Sequence, residues 1–147
     1  MIKAIPQDIW LHYKNLLPTS HKLYVPTLPE TLPYLGSIEG PFDYVPPEAV
    51  LQRLRQWLGR RGVVSVFYFL TESLSEAAPT DYELSMAELT EATLARLNSG
   101  FENVLVGTDF SWALCMDHEG KLHVAGSEEL FACLHAWREG EAREGTP

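Results

Sequence analysis

Cys115 and His123 are the two residues of this chain best placed to do chemistry. Between them runs Asp117-His118-Glu119-Gly120. Asp suits the first position of a turn, and glycine at the end of a three-residue loop fits a type I turn followed by a left-handed bulge. That turn pairs 117 with 121, 116 with 122, 114 with 124 and 112 with 126, which sets Cys115 opposite His123 on one sheet face. A thiol beside an imidazole is the start of a cysteine nucleophile. Both residues lie on adjacent strands, neither at a helix N-terminus, and no third group is evident to orient the ring. The pair is therefore read as packed, and no catalytic residue is assigned.

Asp117, His118, Glu119 and His123 are also ligand types that zinc accepts. A turn wants Asp at its first position and tolerates almost anything at the next two, so a solvated turn is preferred to a metal site. His12, His21 and His135 are scattered and show no HExxH spacing. The two cysteines, Cys115 and Cys133, form no CxxC and cannot build an all-thiolate zinc site. Both are expected to be reduced. GxGxxG, GxxxxGKS/T and GxSxG are all missing from the chain. No cofactor or metal is expected.

Charge is more informative. The net charge is −9 at pH 7, and residues 63–120 carry ten acids against one Arg. Such a surface repels phosphate backbones and anionic lipid, which disfavours nucleic-acid and membrane partners. It would steer a basic protein, although solubility alone also accounts for it. The series Glu72, Glu76, Asp81, Glu83, Glu88, Glu91 is expected to be a solvated face. Asp109 and Ser111 lead into Trp112, and an aromatic with neighbouring acids makes a good hot spot. A core tryptophan at a strand start is the simpler reading of Trp112. The candidate partner-binding set is Asp109, Trp112, Asp117, Glu119, Glu83 and Glu88.

These residues need elements to position them. At 147 residues, the chain is the size of one domain. Residues 1–140 are expected to form it, with 141–147 a disordered tail. Pro6 opens a helix over 6–16, with Ile9, Trp10, Tyr13 and Leu16 at helical spacing. Seven of the ten prolines fall within residues 18–47. That density forbids a long helix or a central strand; 21–25 could be a short strand, and 35–45 should be irregular. A second helix starts at 47–48 on the stripe Val50, Leu51, Leu54, Trp57 and Leu58. The β-branched and aromatic run 63–70 predicts a central strand buried on both faces. Ser85 and Glu88 form a capping box that should open a third helix reaching about residue 98.

Strands are expected at 104–106, 110–116 and 121–125. Ser127 then caps a last helix ended by Gly140. The fold class is α+β: helices against a mostly antiparallel sheet of about four strands, in the order α-α-β-α-β-β-β-α. No apolar run is long enough for a transmembrane helix, and the N-terminus lacks a signal-peptide core, so a cytoplasmic location is expected.

The stretch from Asp109 to Gly120, continued by Ala125-Gly126-Ser127-Glu128-Glu129-Leu130, resembles the C-terminal hairpin of small bacterial proteins. Some of these are grouped with immunity proteins of polymorphic or contact-dependent toxin systems. The likeness covers about 25 residues and includes no catalytic motif. It implies a protein that neutralises a toxin by binding it, often with an acidic surface against a basic nuclease. The leading expectation is thus a non-enzymatic binding module for a basic partner. The alternatives are an enzyme using the Cys115/His123 face and a structural subunit of a homo-oligomer.

Overall fold

The computed structural model describes residues 2–17, 28–40, 42, 44–70, 81–98, 102–117 and 119–144, with 137–144 described by backbone alone. In chain order its elements are β1 (Lys3–Ala4), α1 (Gln7–Leu16), β2 (Tyr34–Ile38), α2 (Glu48–Arg60), β3 (Ser65–Leu70), β4 (Tyr82–Ser85), α3 (Glu91–Leu97), β5 (Asn103–Gly107), β6 (Ala113–Met116), β7 (Leu122–Ala125) and α4 (Glu128–Glu144).

After Ser65, every position of β3 carries a large apolar or aromatic side chain, and each of these is buried. Successive side chains point to opposite faces of a sheet, so such a strand needs cover on both sides. Val66 and Tyr68 face a core shared with Leu51, Leu54 and Leu58 of α2 and Leu130 and Leu134 of α4. Phe67 and Phe69 face a second core with Trp10 and Tyr13 of α1. There the Tyr13 ring stacks on Phe69, with centroids 3.9 Å apart. Burial holds the Tyr13 phenol well above its ordinary pKa, with Cys115 and Asp81 adding to the effect.

Among the described residues the sheet is antiparallel, with seven strands in the order β1-β4-β3-β5-β6-β7-β2. The α+β class and the antiparallel pairing agree with the sequence reading; the four-strand count and the element order do not. The three additional strands have separate causes. β1 is two residues long, too short to show a period. β2 lies in the proline-rich segment expected to be irregular. Proline bars a central strand but permits an edge one, and β2 is an edge strand. Its register shifts between Tyr34 and Gly36, where Gly36 has φ +141. β4 was hidden beneath the capping box. Ser85 N–H does donate to Glu88 Oε1 (2.9 Å) and Glu88 N–H to Ser85 Oγ (3.3 Å), but the box closes only one turn after a strand end. The helix itself begins later, capped by Thr90, whose side chain accepts from Thr93 N–H at 3.2 Å.

The β6–β7 hairpin has the expected register, with Leu114↔Val124, Cys115↔His123 and Met116↔Leu122. β6 starts at Ala113, later than expected, because Phe110 sits in a turn at φ 57. α4 remains helical through Gly140 to Glu144. The possible strand at 21–25 lies outside the described residues.

The N-termini of α2 and α3 cap each other. Pro47 supplies no side-chain cap to α2. Instead Glu48 N–H donates to Glu91 Oε2 at 2.9 Å, while Glu91 N–H donates to Glu48 Oε1 at 3.0 Å. Arg55 donates to the other Glu48 oxygen at 2.6 Å. Burial would raise the Glu48 carboxyl, but the Glu91 N–H and Arg55 outweigh it and hold it below 4.5. A lowered carboxyl contributes stability above its unfolded pKa and loses it as pH falls through the folded value. The Glu48 side chain is 45% exposed, so its charge is partly screened and most of the gain is the cap. Glu48→Ala is therefore expected to cost about 1 kcal/mol near neutral pH. In urea unfolding, that difference from the unmodified protein should shrink as pH is lowered to about 3.

Candidate functional site

The strand registers sort the candidate residues to two ends of the sheet. Ser65 pairs with Ser85, and Val66 with both Leu84 and Gly107. The start of β3, the end of β4 and the β5–β6 turn thus share one end. Leu70, Asn103, Met116 and Leu122 define the other.

Glu83 and Glu88 meet at the first end, where the structure brings them into one cleft. It has a volume of about 260 Å³ and is lined by Lys3, Val64, Ser65, Glu83, Ser85 and Glu88. Ser65 Oγ donates to Glu83 Oε2 at 2.9 Å. The hydrogen bond from Ser85 N–H is the main cause holding the Glu88 carboxyl below its ordinary value. Val64 is 77% exposed and gives the cleft an apolar wall. Asp109 lies at the same end, accepting from Ser111 N–H (3.1 Å) and Ser111 Oγ (2.7 Å).

Trp112 is elsewhere. Its ring is buried against Trp57, edge to face at 6.3 Å between centroids. A Cβ at Gly107 would lie 2.8 Å from its Cδ1, so the ring folds over a glycine. As placed, Trp112 offers no surface to a partner; the hot-spot assignment gives way to the core reading because the hairpin points this residue toward α2.

Asp117 and Glu119 lie at the far end. Asp117 Oδ1 accepts from Glu119 N–H (2.8 Å) and Lys121 N–H (3.0 Å), closing the β6–β7 turn. Its other oxygen lies 2.7 Å from His123 Nε2, and His123 Nδ1 lies 2.9 Å from Tyr34 Oη. Burial raises the Asp117 carboxyl, but the Lys121 N–H, the His123 ring and the Glu119 N–H more than offset this and lower it from 3.8. An orienting group for His123 therefore exists. Cys115 is fully buried on the same face beneath α1. Among the described residues no group of three or more His, Cys, Asp and Glu side chains is arranged to hold a metal ion, and His118 lies outside them.

Asp81 departs from the solvated face expected for its series. It is fully buried, and its carboxylate accepts from Leu70 N–H at 2.7 Å while its carbonyl accepts from Ile5 N–H at 3.0 Å. Glu72 and Glu76 lie outside the described residues. No helix among the described residues is long and apolar enough to cross a membrane. Comparison with protein-family models, curated proteins and solved structures finds no match to this chain.

Neither Cys115 nor Cys133 is in a disulfide; the first is buried and the second half-buried. Titration of the native protein with a thiol reagent should label Cys133 readily. Cys115 should react only as fast as the sheet unfolds, and its labelling should accelerate with denaturant.

Proposed function

We propose that the protein is a binding module, an immunity-type inhibitor, that takes a basic protein partner on its acidic surface. The observation that carries this reading is the cleft where Glu83 and Glu88 converge beside the exposed Val64, with Asp109 on the same end of the sheet. An apolar wall beside two carboxylates, which outnumber the lining Lys3, suits the stem and head of a Lys or Arg side chain. The net charge of −9 favours such a partner at long range. The likeness of the segment from Asp109 to Leu130 to immunity proteins points the same way.

The enzyme alternative built on Cys115 requires the thiol to reach a substrate, and Cys115 is fully buried. Binding through Glu83 and Glu88 needs no turnover.

Capture from native lysate at low salt should recover one stoichiometric basic protein that raised salt releases. The double variant Glu83→Lys/Glu88→Lys should bind that protein at least about tenfold more weakly, read by calorimetry. An affinity indifferent to both salt and charge reversal contradicts the reading.

A further inference from the structure

Tyr34, His123 and Asp117 form a hydrogen-bonded chain along the β2 edge of the sheet, the edge opposite β1 and the acidic cleft. The direction of its bonds is fixed by chemistry. Asp117 accepts two backbone N–H groups through Oδ1 and, ionised, can only accept through Oδ2. His123 Nε2 must then carry the ring proton in the neutral imidazole. That leaves the lone pair on Nδ1, 2.9 Å from Tyr34 Oη, so the phenol donates to the ring. An acid orients an imidazole, which in turn faces a hydroxyl. These are the roles of a carboxylate–imidazole–nucleophile triad, recognised by geometry rather than by residue order.

We propose that Tyr34 is the nucleophile of a hydrolytic site for neutral carboxylic esters, activated by His123, with Asp117 as the positioning residue. Tyr34 is 39% exposed, so its ring reaches solvent. A phenol ionises near pH 10, which makes proton transfer to imidazole easier than from an aliphatic alcohol. In the first step Tyr34 Oη bonds to the acyl carbon and the bond from that carbon to the leaving alkoxide breaks. The phenolic proton passes to His123 Nδ1 and on to the alkoxide. In the second step water attacks the aryl ester and gives its proton to His123; Tyr34 leaves as phenolate and is reprotonated from the ring. The net reaction is ester plus water to acid plus alcohol. Phosphate esters are disfavoured, because the net charge of −9 repels anions. This site is independent of the partner-binding reading, and either can fail without the other.

The test uses the full chain with p-nitrophenyl acetate, quenched in acid and mapped by mass spectrometry. Tyr44, 68% exposed, is an internal control in the same molecule. Tyr34 should acquire an acetyl group about a hundredfold faster than Tyr44. In Asp117→Asn the amide oxygen stays on the two backbone N–H groups and the amide NH2 turns to His123. That moves the ring proton to Nδ1 and removes the base from Tyr34. Acetylation of Tyr34 should then fall to the rate of Tyr44, with Tyr44 unchanged. With Cys133 first blocked by a thiol reagent, Tyr34→Phe should abolish the initial burst of p-nitrophenolate. Equal acetylation of Tyr34 and Tyr44 in the unmodified protein overturns the proposal, and so does an Asp117→Asn variant that still acetylates Tyr34 at the original rate. The comparison within the unmodified protein requires no variant to fold.

Discussion

The structure depends on one constraint: a sheet whose central strands are apolar on both faces must be covered on both. β3 and β5 bury every position from Val66 to Leu70 and from Asn103 to Gly107. A single helical layer would leave Phe67, Phe69, Val104 and Val106 in water, at about 1.5–3 kcal/mol for each large side chain. α2 and α4 therefore take one face and α1 the other, and β3, β5, β6 and β7 feed both cores. The few buried polar groups serve this arrangement. Asp81 secures the β3–β4 side through Leu70 N–H and Ile5 N–H. Asn103 donates to Tyr44 O at 2.8 Å where β5 begins. A buried polar group without such a bond would cost about 1–3 kcal/mol.

Covering both faces leaves function to the rims. Strand ends and edges are where side chains can be both held and exposed. Glu83 and Glu88 stand at the end of β4, Asp109 at the β5–β6 turn, and Tyr34 on the last edge strand. An edge strand is also open to pairing with another chain. β2 meets this with a register shift between Tyr34 and Gly36, and a Cβ at Gly36 would lie 3.2 Å from the Phe131 ring. The helix surface is neutralised locally: Arg61 stacks over Trp57 at 3.8 Å and pairs with Glu129, whose carboxyl it lowers.

The parts of the fold legible in the sequence were those with a long period. The stripe Val50-Leu51-Leu54-Trp57-Leu58 marked α2, and the alternation across 112–124 set the β6–β7 register. That register also placed Asp117 and His123 on a common face. Tyr34 was not legible as their partner, since it lies 89 residues from His123 in the chain and in a segment that its prolines made look irregular. β1 is too short to carry a pattern and β4 ends at the capping box, which reads as a helix start; β1 pairs with β4, and β4 with β3. Asp81 looks like any acid in a polar loop; only the fold buries it. Trp112 was legible in both senses: its acidic neighbours suggested a hot spot, but its place at a strand start favoured the core, and it packs inward on Trp57.

Native-state hydrogen exchange measures the double burial most directly. If both faces are covered as described, the amides of β3, β5 and β6 exchange together, only through global unfolding, while those of β1 and β2 exchange earlier by local opening. Exchange of β5 or β6 amides as fast as those of β1 would contradict the account, because it would mean that one face of the sheet stands open to water.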